Sequence, residues 1–294
     1  MKIKNLFIKI AILTFFSFEV FSQSGKPIYI WRGVEKMQNQ KTVMYFHKAD
    51  SKNEKNAAVI ICPGGSYHHL GIYNEGYKSA KWFSKNGIQA FNLRYRTAES
   101  DFHYPAMLED LQRAIQIVRE NAKEYNIDPE KIGVIGFSAG GHLVTMAGAF
   151  FDSHNELKKL GIESSVSLKP NFVIPVYPVV SMQDEIAHKW SRKSLLGENQ
   201  TADRKNEFSM EKQITSSMPP TYVVCCKDDN VVDYQNSVEL VKALKNAGVP
   251  HKFALYDWGK HGFGMLNNRF MKTFHYNEKI LEWLISIDFG KINN

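Results

Sequence analysis

The segment Gly136-Phe137-Ser138-Ala139-Gly140-Gly141 decides how this chain is interpreted. It follows an apolar run at residues 132–135 and precedes a segment of apolar and small residues at 142–150. This order predicts a strand, a sharp turn and a helix, with Ser138 at the apex of the turn. Glycines two residues before and two after the serine let the strand and the helix approach closely, because glycine has no side chain. The pattern therefore predicts a nucleophile elbow.

Strands and helices alternate on both sides of this elbow. Apolar runs predict buried strands at residues 57–62, 88–95, 132–137, 172–180 and 221–226, and a last strand at 252–256. Helical periodicity is found at 73–86, 105–125, 234–247 and 280–287, whereas 26–48 indicate short antiparallel strands and 181–218 are polar and irregular. Asp128-Pro129 is expected to turn the chain into the strand before Ser138. The alternation predicts an α/β fold with a mostly parallel central sheet and helices on both faces.

The composition is that of a globular protein. Of the 294 residues, 44% are hydrophobic and 23% are charged. The formal net charge is +7, but the basic residues are scattered and form no run interleaved with aromatic residues. Nucleic acid is therefore not an expected partner. Because no linker or repeat interrupts the sequence, residues 23–294 are predicted to form a single catalytic domain.

Residues 1–22 have the features of an export signal. Three lysines within the first nine residues precede an apolar run at 10–18, and Val20 and Ser22 occupy the −3 and −1 positions of a predicted cleavage site. The run is too short and too interrupted for a membrane-spanning helix. We expect cleavage to leave a periplasmic or secreted protein without stable membrane insertion. An uncleaved membrane anchor is the alternative.

A serine nucleophile needs a general base, and the base needs an acid that orients it. In parallel sheets such groups gather at the carboxyl ends of strands. Asp228 and Asp229 follow the strand that ends at Cys226, and His261 lies in a glycine-rich loop after the last strand. This is the chain order of α/β-hydrolase triads. His261 is therefore the predicted base, and the remaining histidines are interpreted as surface or core residues.

The negative oxygen of a tetrahedral intermediate needs N–H donors, each of which lowers the barrier by about 3–4 kcal/mol. The Ala139 amide is one candidate, because it lies at a predicted helix N-terminus. The loop after strand 57–62 offers the amides of Gly65 and Ser66. Tyr67 and His68 follow in the same loop. They either bind substrate or belong to a solvent-exposed turn.

Cys62, Cys225 and Cys226 each lie at the end of a run that is predicted to be buried. Buried free thiols are expected, with one disulfide as the alternative. No pair of histidines or cysteines has the spacing of a zinc site. Neither a metal nor an organic cofactor is expected.

Several motifs, taken together and in order, resemble those of a known family. They are Pro63-Gly64-Gly65-Ser66-Tyr67, Leu93-Arg94-Tyr95-Arg96, Tyr104-Pro105, residues 136–142, Asp228-Asp229-Asn230-Val231-Val232 and His261-Gly262-Phe263-Gly264. Over roughly residues 40–286 the chain resembles the exported α/β-hydrolase esterases labelled acetylxylan or feruloyl esterases, which are relatives of the hormone-sensitive-lipase group. The resemblance implies the α/β-hydrolase fold, with Ser138 as nucleophile, His261 as base and Asp228 as the orienting acid. Asp229 is the rival acid.

Two positions depart from the family pattern. Ser66 stands where a third glycine is usual, and Pro63 stands where the hormone-sensitive-lipase group has histidine. A serine at position 66 keeps the amide donor, but its side chain narrows the pocket. The expected substrate is a polysaccharide or oligosaccharide that carries acetyl or other small acyl groups.

Two other functions are compatible with these motifs. A peptidase of the prolyl-oligopeptidase kind shares the Asp-Asp-Asn-Val stretch and the triad order, but usually has a long N-terminal propeller. A non-catalytic, binding-only hydrolase fold is the second alternative. The sequence leaves open the acyl group, the oligomeric state and whether residues 181–218 form a lid.

Overall fold

The computed structural model describes residues 25–51 and 55–289, so the predicted export signal lies outside the described part of the chain. Eight strands of the described chain form one sheet: β1 (Lys26–Tyr29), β2 (Val43–His47), β3 (Asn56–Cys62), β4 (Gln89–Arg94), β5 (Ile127–Phe137), β6 (Val173–Val176), β7 (Thr221–Cys226) and β8 (His251–Tyr256). Their order in the sheet is β1-β2-β4-β3-β5-β6-β7-β8. The pairs β1–β2 and β2–β4 are antiparallel, and all later pairs are parallel. The predicted mostly parallel sheet is confirmed.

Helices connect the strands. They are α1 (Lys78–Lys85), α2 (Ala106–Glu120), α3 (Ala139–Ala149), α4 (Glu156–Lys159), α5 (Lys189–Leu196), α6 (Ala202–Glu207), α7 (Gln235–Asn246), α8 (Arg269–Phe274) and α9 (Tyr276–Ser286). Short 3-10 turns occur at Glu35–Met37, Ala98–Ser100 and Met210–Lys212, and a π-helical turn at Ile72–Tyr77 leads into α1.

The central strand β3 explains why helices cover both faces of the sheet. All seven of its residues are buried. Ala58, Ile60 and Cys62 point into one apolar cluster, which includes side chains of α2 and α3. Ala57, Val59 and Ile61 point into a second cluster, which includes side chains of α1 and α9. Because side chains alternate along a strand, an uninterrupted apolar run can be buried only between two such layers.

Some boundaries differ from the sequence predictions. Strand β6 ends at Val176 rather than at residue 180, because the backbone turns at Tyr177 with φ of 37°. Strand β5 already includes Asp128-Pro129, which was expected to form a turn. Residues 181–218 are not simply irregular. They contain α5 and α6, whose first turns are capped by the side chains of His188 and Thr201.

Two further findings concern the described chain as a whole. Cys62, Cys225 and Cys226 are free and buried, as the buried-thiol interpretation predicted. In residues 25–51 and 55–289, each helix is too short or too polar to cross a bilayer.

The parallel strands β3, β5, β6, β7 and β8 all end at one edge of the sheet. Their pairing aligns Cys62 with Gly136, Phe137 with Val176, and Cys226 with Tyr256. The loops that leave this edge therefore meet above it. These loops carry the glycine segment after β3, the serine after β5, the two aspartates after β7 and the histidine after β8.

Candidate active site

Ser138 lies in the predicted sharp turn between β5 and α3, with φ of 54° and ψ of −119°. Its flanking glycines are required by close backbone contacts. A Cβ at Gly136 would lie 2.0 Å from the carbonyl oxygen of Gly140, and a Cβ at Gly140 would lie 2.1 Å from that of Cys62. The turn thus holds the Ser138 side chain in a backbone conformation that is unusual for a non-glycine residue.

The Ser138 hydroxyl and an aspartate bind the two nitrogens of the His261 ring. The Nε2 atom of His261 lies 2.9 Å from Oγ of Ser138, and its Nδ1 atom lies 2.7 Å from Oδ2 of Asp229. An ionised carboxylate only accepts hydrogen bonds, so in neutral His261 the proton belongs on Nδ1. Nε2 then accepts from the Ser138 hydroxyl. This is the geometry of a serine nucleophile beside its base.

The acid in contact with His261 is Asp229, so the assignment of Asp228 as orienting residue is wrong. Asp228 instead accepts a hydrogen bond from the backbone N–H of Lys260 at 2.7 Å. The second oxygen of Asp229 accepts from the amides of Val231 and Val232, both at 2.9 Å. The turn after β7 therefore aims the two neighbouring carboxylates at different parts of the histidine loop. Sequence spacing alone does not distinguish them.

The glycine segment after β3 makes a tight turn next to Ser138. Gly65, Ser66 and Tyr67 have consecutive positive φ values of 125°, 58° and 59°. Position 66 therefore adopts a conformation that favours glycine, although serine occupies it. The Gly65 carbonyl accepts from the amides of His68 and His69, both at 3.0 Å.

The amides of Gly65 and Ser66, which are predicted to bind the oxyanion, differ from the amide of Gly64 in their hydrogen bonding. Within the described residues, the N–H groups of Gly65 and Ser66 donate to no protein acceptor, whereas that of Gly64 donates to Glu75 at 2.7 Å. Ala139 is the first residue of α3, where a backbone N–H has no acceptor within the helix. The amides of Gly65, Ser66 and Ala139 therefore remain candidate hydrogen-bond donors to the oxyanion.

Glu75 is a buried carboxylate of this site that the sequence pattern does not reveal. Its Oε2 accepts from Gly64, and its Oε1 accepts from the Tyr177 hydroxyl at 2.8 Å. The Tyr177 hydroxyl in turn accepts from the amide of Gly264 at 3.1 Å. Burial raises the pKa of Glu75, while these hydrogen bonds and nearby His261 oppose the shift. Glu75 thus joins the glycine turn to the loop that carries His261.

The π-helical turn explains why Glu75 was missed. Regular helical spacing from Tyr73 predicts a buried stripe through Tyr73, Tyr77 and Ala80, with Glu75 on the opposite, solvent-facing side. In the structure Tyr73 is exposed and Glu75 is buried. Both the Glu75 and Gly76 amides donate to the Gly71 carbonyl, so the first turn does not follow α-helical geometry.

The prediction that Tyr67 binds substrate is wrong. Tyr67 is fully buried, and its hydroxyl lies 2.8 Å from Nδ1 of His142. The Nε2 atom of His142 lies 2.8 Å from the Phe208 carbonyl, which can only accept, so Nδ1 accepts from Tyr67. Burial lowers the pKa of His142 to about 4, and the bond to Phe208 opposes that shift. Both residues stabilise the core beneath the site.

A cavity of about 480 Å³ opens above Ser138 and His261. Its walls are mostly small or polar, and they comprise Gly65, Ser66, His69, Gly71, Ile72, Tyr73, Asn74, Glu75, Val231 and Gly262. His68, the other predicted substrate residue, does not line this cavity but packs against Trp190 at its edge. No group of three or more His, Cys, Asp or Glu side chains in the described residues has the arrangement of a metal site.

Comparison with known proteins agrees with this architecture. The model of the BD-FAE family matches residues 44–244. The acetylxylan esterase of Xylanibacter ruminicola is 33% identical over 244 residues, which cover 80% of this chain and 47% of that protein. The endo-1,4-beta-xylanase B of Butyrivibrio fibrisolvens is 32% identical over 241 residues, which cover 81% of this chain and 37% of that protein. The chain therefore spans less than half the length of these two relatives.

Two solved structures are also similar. The acetyl ester-xyloside bifunctional hydrolase of Caldicellulosiruptor lactoaceticus has a TM-score of 0.79 and 33% identity, covering 91% of this chain and 98% of that one. A thermophilic esterase of Thermogutta terrifontis has a TM-score of 0.77 and 21% identity, covering 92% and 95% of the two chains. The chain has the α/β-hydrolase fold, as the resemblance implied.

Proposed function

The chain belongs to the BD-FAE family, and from this membership we propose that it is a serine carboxylester hydrolase of acylated polysaccharides or oligosaccharides. The reaction is supported by the hydrogen-bonded triad of Asp229, His261 and Ser138 at the cavity. His261 Nδ1 lies 2.7 Å from Asp229 Oδ2, and His261 Nε2 lies 2.9 Å from Ser138 Oγ. The substrate is supported by the likeness to an acetylxylan esterase and to an acetyl ester-xyloside hydrolase.

In the first half of the proposed reaction, Oγ of Ser138 attacks the ester carbonyl carbon while Nε2 of His261 takes the hydroxyl proton. Asp229 stabilises the imidazolium that forms. The negative charge on the former carbonyl oxygen is held by the amides of Gly65, Ser66 and Ala139. When the intermediate collapses, the ester C–O bond breaks, His261 protonates the leaving sugar oxygen, and an acyl group remains on the serine.

In the second half, His261 removes a proton from a water molecule, whose oxygen attacks the acyl carbon. The same amides hold the oxyanion again. Collapse returns the proton to Oγ of Ser138 and releases the carboxylic acid. Each step uses side chains and amides of the chain itself. The likeness to an acetylxylan esterase favours acetyl as the acyl group.

The test compares the mature protein with Ser138→Ala on p-nitrophenyl acetate. We expect the variant to lose at least about 10⁴-fold in kcat, since triad serines contribute this much or more. Full turnover by the variant would exclude Ser138 as nucleophile. Acetylated xylan, feruloylated xylan and aminoacyl-proline anilides then identify the substrate class. We expect acetate release from acetylated xylan, and cleavage of the anilides alone would favour the peptidase alternative.

We also propose that residues 1–22 direct export and that residues 23–294 form the single catalytic domain. The proposal is supported by the lysine-rich start and the short apolar run that follows it. Protein recovered from the periplasm or the medium should begin at Gln23 when its N-terminus is sequenced. Recovery of the chain only from membranes, with Met1 retained, would contradict export and support the uncleaved anchor.

A further inference from the structure

Exposed apolar side chains are concentrated at the mouth of the cavity. The large hydrophobic residues exposed in the described chain are Tyr29, Ile72, Tyr73, Trp190 and Val231. Ile72, Tyr73 and Val231 line the cavity itself. Trp190 packs against His69, which lines the cavity as well. Clustered exposed apolar surface of this kind marks a binding site.

Trp190 lies in the first turn of α5, within the 181–218 segment. Its ring centroid is 5.4 Å from that of His68 and 5.8 Å from that of His69. Half of the Trp190 residue nevertheless remains exposed, at 50%. One part of the ring is therefore supported by the two imidazoles, while the rest faces solvent beside the cavity.

The helix that carries Trp190 is firmly attached to the protein. Leu195 and Leu196 are buried in the core. Arg192 donates from Nη1 to the Met182 carbonyl at 2.8 Å and to Asp184 at 2.6 Å. His188 caps the first turn by accepting from the Ser191 amide. Trp190 is thus presented by a rigid element, and little entropy is lost when a ligand contacts its ring.

We propose that Trp190, supported by His68 and His69, forms a sugar-binding subsite that stacks on a pyranose ring adjacent to the acylated one. This inference rests on the proposed function and deepens it. The face of an aromatic ring is electronegative, and it attracts the C–H groups that a pyranose presents on its faces. The imidazole nitrogens of the two histidines are suited to bind the hydroxyl groups around the ring edge.

The size of the cavity favours a sugar chain as the occupant. A volume of about 480 Å³ cannot enclose a polysaccharide, so a polymeric substrate must extend across the mouth of the cavity. A stable protein partner would need about 800 Å² of surface on each side, more than this small group of side chains presents.

The test compares Trp190→Ala with Tyr29→Ala, a matched change of another exposed aromatic residue that lies on edge strand β1 away from the cavity lining. The measured quantity is kcat/KM on acetylated xylo-oligosaccharides divided by kcat/KM on p-nitrophenyl acetate. We expect this ratio to fall about five- to tenfold in Trp190→Ala, mainly through KM, because one aromatic contact is lost. Trp190→Phe should restore most of the ratio, and Tyr29→Ala should leave both activities unchanged.

A binding measurement separates this inference from the proposed function. In calorimetry, unacetylated xylo-oligosaccharides should bind to the Ser138→Ala protein. Adding Trp190→Ala to that protein should weaken this binding by a similar factor. If the wild type hydrolyses p-nitrophenyl acetate but not acetylated xylan, the proposed substrate is wrong, and the calorimetry still decides whether Trp190 binds sugar. An unchanged ratio together with unchanged oligosaccharide binding in Trp190→Ala overturns the subsite.

Discussion

The carboxylate of Asp229 lies 2.7 Å from Nδ1 of His261, while its neighbour Asp228 lies 2.7 Å from the amide of Lys260. Asp229 thus contacts the imidazole directly, whereas Asp228 contacts the backbone of Lys260, the residue that precedes the histidine. The side chain of Asp229 is only 1% exposed, and its other oxygen is held by two backbone amides. Asp229 is therefore the group positioned to stabilise a charged imidazole.

We expect Asp229→Asn to lower kcat on p-nitrophenyl acetate by about 10³–10⁴-fold, because an amide in place of the carboxylate favours the wrong histidine tautomer. Asp228→Asn is the matched control. Its amide oxygen still accepts from Lys260, so we expect a change of only a few-fold. Steady-state kinetics of the two variants decide the assignment. A larger loss in Asp228→Asn than in Asp229→Asn would return the orienting role to Asp228.

Glu75→Gln tests the connection between the glycine turn and the histidine loop. The carboxylate accepts from both Gly64 and Tyr177, whereas a glutamine has one oxygen and one donor group. One hydrogen bond is therefore lost or reversed, at a cost of about 1–3 kcal/mol. Because the turn carries the candidate oxyanion amides, we expect kcat to fall about tenfold or more while KM changes little.

Glu211→Gln is the control for this experiment, since Glu211 is a partly buried carboxylate that accepts from Ser181 and does not line the cavity. We expect it to leave kcat unchanged. Tyr177→Phe should reproduce part of the Glu75→Gln effect, because it removes the link to Gly264. If Glu75→Gln keeps wild-type kcat, the carboxylate has no part in positioning the turn.

His142 should make folding stability depend on pH. Burial lowers its pKa to about 4 in the folded protein, compared with about 6.5 in an unfolded chain. Between these values the unfolded state binds the proton and the folded state does not, so stability falls as the pH is lowered from about 6.5 to about 4. The loss amounts to about 3 kcal/mol at most.

The check is urea unfolding of the wild type and His142→Gln at about pH 7 and about pH 4.5. Glutamine offers an acceptor to Tyr67 and a donor to the Phe208 carbonyl, as neutral histidine does, but it does not titrate. We expect the variant to lose less stability on acidification than the wild type. Parallel losses in the two proteins would show that His142 does not contribute to the pH dependence.

The three thiols should be unreactive in the native protein. Burial raises the pKa of Cys62, Cys225 and Cys226, that of Cys225 to about 12, so little thiolate is present at neutral pH. We expect no alkylation by iodoacetamide under native conditions. In denaturant without reductant, mass spectrometry should show all three cysteines modified. A product with only one modified cysteine would reveal a disulfide.

Features that depend on short segments of chain can be predicted from the amino-acid sequence. The continuous apolar run of β3 and the glycine-flanked Ser138 predicted a buried parallel strand and a sharp turn, because each pattern permits few backbone conformations. Ser138 and His261 each follow the end of a predicted strand, and this also predicts that their side chains meet, since parallel strands end at the same edge of the sheet. The structure brings these two side chains to 2.9 Å.

Which of several neighbouring side chains reach the site depends on long-range contacts that the sequence pattern does not reveal. Asp228 and Asp229 differ by one residue, and the direction of each is set by hydrogen bonds across the loops after β7 and β8. Glu75 is buried because a π-helical turn rotates it inward, and Tyr67 is buried because positive φ values turn it toward His142. The sequence pattern reports periodicity, whereas these orientations arise from contacts between residues far apart in the chain.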